Sequence, residues 1–218
     1  MKHPMQLVPP SLDHLPSYVA ALKRGWSPDN IRGVAASIDE LAQIEKDASL
    51  FIERLTDRDA KGPPVVLPDG TTAARLPGFR LWLWDGEFCG SIGLRWQPGT
   101  AALPPHVLGH IGYAIVPWKG DRGYAKFALK QMLEHARNEG LEHVEITTDP
   151  DNVASRRVIE ANGGVLLALQ KACAIRSQRC SPLSNRTLAP IASGLTTRST
   201  GPAGTGLVSR ERRWRRAG

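Results

Sequence analysis

The stretch GHIGYAIVPWKGDRGYAKFALKQM, from Gly109 to Met132, decides the fold of this chain. Its residues from His110 to Val116 alternate between two faces, which predicts a strand with two different sides. A basic, glycine-bearing turn follows, from Pro117 to Gly123. The next residues predict a helix with one apolar stripe, formed by Ala125, Ala128, Leu129, Met132, Leu133 and Ala136. A strand that leads through a glycine turn into a helix presents free backbone N–H groups at the positive end of the helix dipole, so this unit predicts a phosphate-binding site.

The turn lacks the sequences of two common phosphate-binding loops. It contains neither G-x-x-x-x-G-K-[ST], which binds nucleoside triphosphates, nor G-x-G-x-x-G, which binds dinucleotides. Instead it reads x-x-x-G-x-A from Gly120 to Ala125. The turn by itself is also compatible with an ordinary strand-to-helix connection in an α/β protein, so the choice depends on the sequence downstream.

A second segment, EITTDPDNVASRRVIEANGG from Glu145 to Gly164, supplies that evidence. It has a strand ending in Thr and Asp, an asparagine that opens a helix, a small residue three positions later and a closing N-x-G. With the first stretch, it resembles the acetyl-CoA-binding core of the GNAT N-acetyltransferase superfamily, over about residues 5–167. The hairpin strands with Trp82, Trp84 and Trp96 resemble a bacterial subgroup of that superfamily. The resemblance implies an α+β GNAT fold with a mixed central sheet flanked by helices.

The resemblance also implies acetyl-CoA as co-substrate and a set of residues that bind it. In relatives, the loop amides hold the CoA pyrophosphate, the strand end pairs with the pantetheine arm, and the signature asparagine lies beside that arm. Carried over to this chain, the set is Ile115, Val116, Gly120, Asp121, Arg122, Gly123, Tyr124, Ala125, Asn152 and Ser155. The family pattern is [Q/R]-x-x-G-x-[G/A]; Gly123 and Ala125 match it, whereas Gly120 replaces the Gln or Arg. Lys119 and Arg122 are expected to supply positive charge to the ligand in its place.

Acetyl transfer from a thioester to an amine requires that the carbonyl is polarised, the amine is deprotonated and the leaving thiolate is protonated. His110 is the first candidate base because a histidine titrates near neutral pH. Glu145 and Glu87 are the second and third candidates. Each has a plain alternative: His110 as a cap on a backbone group, and the two glutamates as surface charges.

The proton donor is harder to assign. Many relatives carry a tyrosine seven residues after the signature asparagine, and this chain has Ile159 there. Tyr113 and Tyr124 are the other phenols near the predicted site, of which Tyr113 is expected in the core and Tyr124 beside CoA. We expect no metal ion.

The positive charge of the chain lies in its last quarter. The whole sequence has a net charge of +7, with 28 Lys and Arg and 21 Asp and Glu. Residues 168–218 contain ten of the basic residues and one acidic residue, so residues 1–167 have a net charge of −2. We therefore divide the chain into a GNAT domain, 1–167, and a basic, low-complexity, disordered tail, 168–218, that replaces or alters the last strands of the fold. The tail is explained either as a translated frameshift, which we favour because the change falls inside the expected fold, or as an arm that binds nucleic acid.

Three further features concern location and partners. The chain has no apolar run of membrane-spanning length and no signal peptide, so no membrane partner is expected. Its three cysteines, Cys89, Cys173 and Cys180, form no C-x-x-C pair, which favours a reducing, cytoplasmic setting. Because the predicted domain is almost neutral, nucleic acid is expected to bind only through the tail. A homodimer is left open.

The sequence therefore predicts an N-acetyltransferase that moves an acetyl group from acetyl-CoA to a primary amine by direct attack. The acceptor is a small molecule or a peptide. The alternative is a non-catalytic protein that binds CoA, or that binds nucleic acid through the basic tail.

Overall fold

The structure is a computed structural model that describes residues 4–67, 69–171 and 183–190. For residues 168–171 and 183–190 it describes the backbone only. Five helices occur in these residues: α1 (Leu15–Lys23), α2 (Val34–Lys46), α3 (Ala48–Arg54), α4 (Tyr124–Asn138) and α5 (Val153–Glu160). The first six strands are β1 (Gln6–Val8), β2 (Thr56–Asp57), β3 (Val65–Val66), β4 (Thr72–Ala73), β5 (Gly78–Trp84) and β6 (Phe88–Arg95). The others are β7 (Ile111–Ile115), β8 (His143–Thr148), β9 (Val165–Lys171) and β10 (Leu183–Pro190). The predicted α+β class is confirmed.

The strands form two larger sheets and one small hairpin. The first sheet has the order β1-β5-β6-β7, with β2 also paired to β5, and the second has the order β8-β10-β9. Strands β3 and β4 pair in the segment that was expected to be a long loop. All the strand pairs in the described residues are antiparallel, whereas the sequence predicted a mixed sheet.

Two layers of apolar side chains cover the first sheet, one on each face. Helix α4 packs on one face with the predicted stripe: Ala128, Leu129, Met132, Leu133 and Ala136 are all buried. Helices α1 and α3 pack on the other face around Tyr18, whose ring stacks on Trp82 at 4.6 Å between centroids. Burial of these large apolar and aromatic side chains stabilises the sandwich.

The first helical region differs from the prediction. The residues Ser37 to Glu40 have the sequence of a capping box, which predicts a helix that begins there, but α2 begins at Val34 after Gly33. Ser37 is buried inside the helix and its hydroxyl donates to the carbonyl of Val34. Helix α2 ends at Lys46, and the next residue, Asp47, is extended. The Asp47 carboxylate accepts from the Leu50 N–H, so Asp47 caps the start of α3.

Glycines inside a strand, such as Gly90 and Gly93, predict a bulge or a close approach of two backbones, and strands β6 and β7 do approach each other closely at Gly90. Gly90 has a φ of +149°, and a Cβ there would lie 2.4 Å from the Ala114 carbonyl oxygen. The same Cβ would lie 2.9 Å from the Ile115 Cα. The register shifts between Leu83 and Trp84, next to this position. Only glycine fits here, because any side chain would meet backbone atoms of β7.

The backbone continues in strands beyond the predicted boundary at residue 167. Strand β9 extends to Lys171, and β10 pairs with both β8 and β9. Residues 168–171 and 183–190, which belong to the predicted tail, therefore have a strand backbone. Residues 172–182 and 191–218 lie outside the described residues, and the division of the chain into a domain and a basic tail stays a prediction.

Candidate active site

Strand β7 presents one set of backbone groups to β6 and the other set to its opposite edge. The Val116 N–H donates to the Cys89 carbonyl at 2.9 Å, and the Arg95 N–H donates to the His110 carbonyl at 2.9 Å. Since hydrogen bonding alternates along an antiparallel strand, the N–H of Ile115 points to the other edge. Of the two predicted strand-end residues, Ile115 is therefore the one whose amide is directed away from the sheet partner.

Strands β7 and β8 belong to different sheets and meet around His110. The His110 N–H donates to the Glu145 carbonyl at 2.8 Å, and the Glu145 N–H donates to His110 Nδ1 at 2.9 Å. The Thr147 hydroxyl donates to the Leu108 carbonyl. In the described residues the two strands share no ladder beyond this point, so the far edge of β7 is left for other partners.

The turn after β7 is where the phosphate cradle was predicted. A short 3₁₀ turn, Pro117–Lys119, leads to Gly123, which caps α4 with a φ of +76° and makes no side-chain capping bond. A Cβ on Gly123 would meet no atom within 4 Å. The first turn of α4 contains no acidic residue. The amides at the start of a 15-residue helix therefore face open space, which suits a phosphate group.

The other predicted loop residues surround these amides. Gly120 is exposed and extended, and its N–H donates to the Pro117 carbonyl at 3.2 Å. Asp121 and Arg122 are exposed, and Asp121 has a φ of +58°. Ala125 lies half-buried in the first turn of α4.

A buried ionic network fixes the turn to the β5–β6 hairpin. Lys119 is 5% exposed, and its Nζ lies 2.5 Å from Asp85 Oδ1 and 2.7 Å from Glu87 Oε1. The hydroxyl of Tyr124 donates to Asp85 Oδ2 at 2.6 Å. Desolvation acts against the charge of Asp85, but its hydrogen bonds from Lys119 and Tyr124 hold its pKa at about 2. Lys119 was expected to offer its charge to the ligand; the structure directs it into the protein.

Helix α5 is joined to β7 through two of the predicted positions. Asn152 Oδ1 accepts from the Ser155 N–H at 2.9 Å, which is the predicted N-cap. The Ser155 hydroxyl lies 2.7 Å from the Tyr113 hydroxyl. Burial raises the pKa of Tyr113, and the Ser155 bond opposes that rise. Tyr113 was expected to be a core residue, so the sequence did not indicate this polar pair at the opening between β7 and β8.

His110 is fully buried at the point where β7 and β8 meet. Burial lowers its pKa to about 4, and the nearby charges of His143 and Arg95 act in the same direction. The imidazole is therefore neutral at pH 7. Its Nδ1 accepts a backbone N–H, so the ring proton is on Nε2 and the basic lone pair is occupied. This arrangement matches the plain alternative, a histidine that caps a backbone group.

The other two candidate bases lie in different places. Glu145 is half-buried on β8 beside His110. Glu87 is at the hairpin turn, with a side chain 64% exposed and paired to Lys119. Ile159, where relatives carry a tyrosine, is buried in the core. The predicted cofactor-binding residues thus lie at the end of β7, in the turn after it and at the starts of α4 and α5, and the three candidate bases lie apart from one another.

Comparisons with known proteins identify the family. The sequence model described as "Acetyltransferase (GNAT) domain" matches residues 6–165. No curated protein matches the chain. A solved acetyl transferase from Salmonella typhimurium, which modifies the N-terminal serine of the 50S ribosomal subunit protein L7/L12, has a TM-score of 0.55. It is 14% identical, with 87% of this chain and 95% of that chain covered.

Two further structures show the same fold. The GNAT acetyltransferase from Streptococcus pneumoniae has a TM-score of 0.54 at 15% identity, covering 87% of this chain and 100% of that one. The Microcin C7 self immunity acetyltransferase MccE, solved with acetyl-CoA and AMP, has a TM-score of 0.51 at 12% identity, covering 85% and 92%.

The fold and the site define a CoA-dependent acyltransferase, and the chain belongs to the GNAT acetyltransferase family. This confirms the predicted family, the GNAT fold, the enzyme class and acetyl-CoA as the co-substrate of that class. None of the helices in residues 4–67 and 69–171 has the length and apolar character needed to cross a membrane. The cytoplasmic setting and a homodimer stay predictions.

Proposed function

We propose that the protein transfers the acetyl group of acetyl-CoA to a primary amine by direct attack. The observation that carries this proposal is the start of α4, which has no side-chain cap and has open space at Gly123. It lies beside strand β7, whose Ile115 amide faces the gap between β7 and β8. The residues present fit acetyl-CoA: the amides from Gly120 to Ala125 would hold the pyrophosphate, with Arg122 beside them. Bound acetyl-CoA supplies the reactive thioester.

The chain's own groups then divide the remaining tasks. The Ile115 N–H is directed toward the gap and can stabilise negative charge on the thioester oxygen. Asn152 and Ser155 line the α5 side of the gap. Tyr113, two residues before Ile115 and bonded to Ser155, is the phenol positioned to protonate the leaving thiolate. Tyr113 would thus act in place of the tyrosine that relatives carry at the position of Ile159.

The deprotonation of the amine is assigned to water. His110 and Ile115 are five residues apart along β7, about 16 Å in an extended strand, so His110 is out of reach of an amine at the Ile115 level. Glu145 lies beside His110, so it is also distant from an amine at the level of Ile115. Glu87 is held by Lys119. The proposal predicts that kcat/KM rises with pH until the acceptor's own ammonium group is deprotonated; a lower step that Glu145→Gln removes would return the role to Glu145.

The proposal is tested with two glycines at opposite ends of α4. Gly123 and Gly140 have φ values of +76° and +81°, and a Cβ on either meets no atom within 4 Å. Gly123→Ala and Gly140→Ala should therefore destabilise the fold equally, by about 1 kcal/mol. Only Gly123→Ala should weaken acetyl-CoA binding, by tenfold or more in calorimetry, because its methyl group enters the cradle. Equal affinities in the two variants would refute the assignment.

Turnover is measured as release of free CoA thiol over a panel of amines. Tyr113→Phe should lower kcat about tenfold or more while acetyl-CoA affinity stays within twofold. Tyr124→Phe is the comparison variant: its hydroxyl is bonded to Asp85 in the support of the turn, so its loss should lower acetyl-CoA affinity and not kcat. A Tyr113→Phe enzyme with unchanged kcat would exclude Tyr113 as the proton donor.

The non-catalytic alternative has two observations in its favour. Gly120 stands where relatives carry Gln or Arg, and Ile159 is buried where they carry the acid. Acetyl-CoA binding without thiol release for any amine would support that alternative. The nucleic-acid version depends on residues outside the described ranges.

A further inference from the structure

On the face of β7 opposite α4, two paired glycines leave a gap in the layer of side chains, and we call this gap the groove. Gly112 of β7 is paired with Gly93 of β6, and Gly93 is paired in turn with Arg80 of β5. Two residues further along β6, Arg95 is paired with Gly78 of β5, and its N–H donates to the carbonyl of His110, which precedes β7. Residues directly opposite one another in antiparallel strands place their side chains on the same face. Two guanidinium groups therefore border a cross-strand pair that has no side chains; we call Gly93 and Gly112 the glycine floor.

The glycine floor is not required by the backbone. Neither glycine has a positive φ, and a Cβ on Gly112 would meet only Arg95 Nη2, at 3.8 Å. A Cβ on Gly93 would lie 3.4 Å from the Phe79 carbonyl oxygen. Both positions have room for a methyl group, in contrast to Gly90. Gly112 is also exposed, so the groove is open to solvent.

The two arginines at the groove differ in their partners. Arg80 Nη1 donates to Glu40 Oε1 at 3.1 Å, and the Tyr18 hydroxyl donates to Glu40 Oε2, so that carboxylate is satisfied. Within the part of the chain whose side chains are described, Arg95 has no carboxylate at ion-pair distance. Asp29 is the acidic group that acts on it through space, but Asp29 Oδ1 accepts the N–H groups of Ile31 and Arg32.

The end of the Arg95 side chain lies over the glycine floor, because its Nη2 is the atom nearest to a Cβ placed on Gly112, at 3.8 Å. The residue is exposed to solvent, yet desolvation by the surrounding protein, with Arg80 as the second cause, lowers its pKa. A guanidinium group can bind a carboxylate or a phosphate through two parallel hydrogen bonds.

We propose that Arg95, over the glycine floor, binds an anionic group of the acceptor, a carboxylate or a phosphate. The inference rests on the proposed function, because it places the acceptor on the face of β7 opposite α4. Gly112 and Ile115 are three residues apart, which corresponds to about 10 Å along the strand. The acceptor is thus an amine whose anionic group lies about 10 Å from the reacting nitrogen. An α-amino acid is too short, whereas an extended tripeptide with a free C-terminus spans about this distance.

The test uses pairs of acceptors that differ only in charge. Tri-alanine with a free C-terminal carboxylate is compared with tri-alanine amide, and 6-aminohexyl phosphate with 6-aminohexanol. Binding of each to the full-length protein saturated with CoA is measured by calorimetry, and kcat/KM with acetyl-CoA is measured in parallel. A charge-assisted contact predicts that an anionic member binds about tenfold or more tightly than its neutral partner. The pair with the larger ratio identifies carboxylate or phosphate as the group recognised.

Variants assign the preference to Arg95. Arg95→Gln should bring the ratio to about one in both pairs, and Arg95→Lys should retain part of it. Arg54→Gln, an exposed arginine on α3, should leave the ratio unchanged. Binding preference without any thiol release would sustain the groove and refute the acetyl transfer. If the anionic and the neutral acceptor of each pair bound with equal affinity and were acetylated at equal kcat/KM, the proposed role of Arg95 would be refuted and the acetyl transfer would stand.

Discussion

On the α4 and α5 side of β7, polar side chains are tied to one another, whereas on the opposite side the strand presents glycine backbone and a guanidinium group. Lys119, Asp85 and Tyr124 fix the phosphate turn, and Tyr113 is bonded to Ser155. The other side has the Gly93–Gly112 pair and Arg95. In the proposed function, the first side binds the cofactor through backbone amides on a rigidly supported turn. The second side binds the acceptor through open space and one guanidinium group.

The largest expected effect comes from Gly90, which supports both sides because it lets β6 reach β7. Gly90→Ala would place a Cβ 2.4 Å from the Ala114 carbonyl oxygen in a conformation that L residues rarely adopt. Since the obstacle is backbone, the strands must separate. We expect a loss of about 3 kcal/mol or more in the free energy of unfolding, measured by urea denaturation.

Gly112→Ala is the matched control on the glycine floor. Its Cβ would meet a flexible side-chain end at 3.8 Å, so the free energy of unfolding should change by less than about 1 kcal/mol. If the two variants were equally stable, the distinction between a supporting glycine and a floor glycine would be wrong.

These two glycines also show which features a sequence can reveal. The residues Gly123 and Asn152 act through local geometry, a left-handed cap and an N-cap, so the sequence predicted the helices that begin directly after them. The groove depends on register: Gly93 and Gly112 face each other only after β6 and β7 pair. Nothing in the local pattern indicates which glycines are opposite.

Charged residues were harder to predict for the same reason. Lys119 stands in a basic turn and was expected to face the ligand, but its partner Asp85 is 34 residues away in sequence. His110 was expected to be a base because of its residue type; its burial and its bond to Glu145 depend on the meeting of two sheets. The capping box at Ser37 is a local signal that tertiary packing overrode, since Ser37 is buried inside α2.

The second prediction disturbs the cofactor side alone. Lys119→Met removes one partner of a buried pair whose Lys and Asp side chains are 6% and 11% exposed. It leaves Asp85 without its cation, so we expect the free energy of unfolding to fall by about 3 kcal/mol. Acetyl-CoA affinity should fall because the turn loses its anchor. Binding of the tri-alanine acceptors should change little, which calorimetry at saturating CoA checks.

Glu87→Gln is the control for this network. Glu87 contacts the same Nζ, but its side chain is 64% exposed, so its removal should cost less than about 1 kcal/mol. Similar losses from Lys119→Met and Glu87→Gln would mean that the network is a surface feature and not the support of the turn.

The smallest expected effect concerns His110, which lies where β7 and β8 meet. Its pKa is about 4 in the folded protein against 6.5 for an unperturbed histidine. Between these values the unfolded chain binds a proton that the folded chain does not, so the free energy of unfolding falls as pH falls from 6.5 toward 4. The full difference is about 3 kcal/mol, of which roughly 2 kcal/mol is lost by pH 5. Asp85 loses its contribution only below pH 3.8, so it does not overlap with this window.

His110→Asn isolates that contribution, because an asparagine oxygen can accept the Glu145 N–H and does not titrate. Urea denaturation at pH 7.5 and pH 5 should show a smaller loss of stability for His110→Asn than for the unmodified protein. His106→Asn, at an exposed histidine, should retain the original loss. Acetyl-CoA affinity at pH 7.5 should be the same in all three proteins, since His110 is remote from the cradle. If His110→Asn kept the full pH dependence but lost turnover at neutral pH, His110 would act in the reaction and the structural role assigned to it would be wrong.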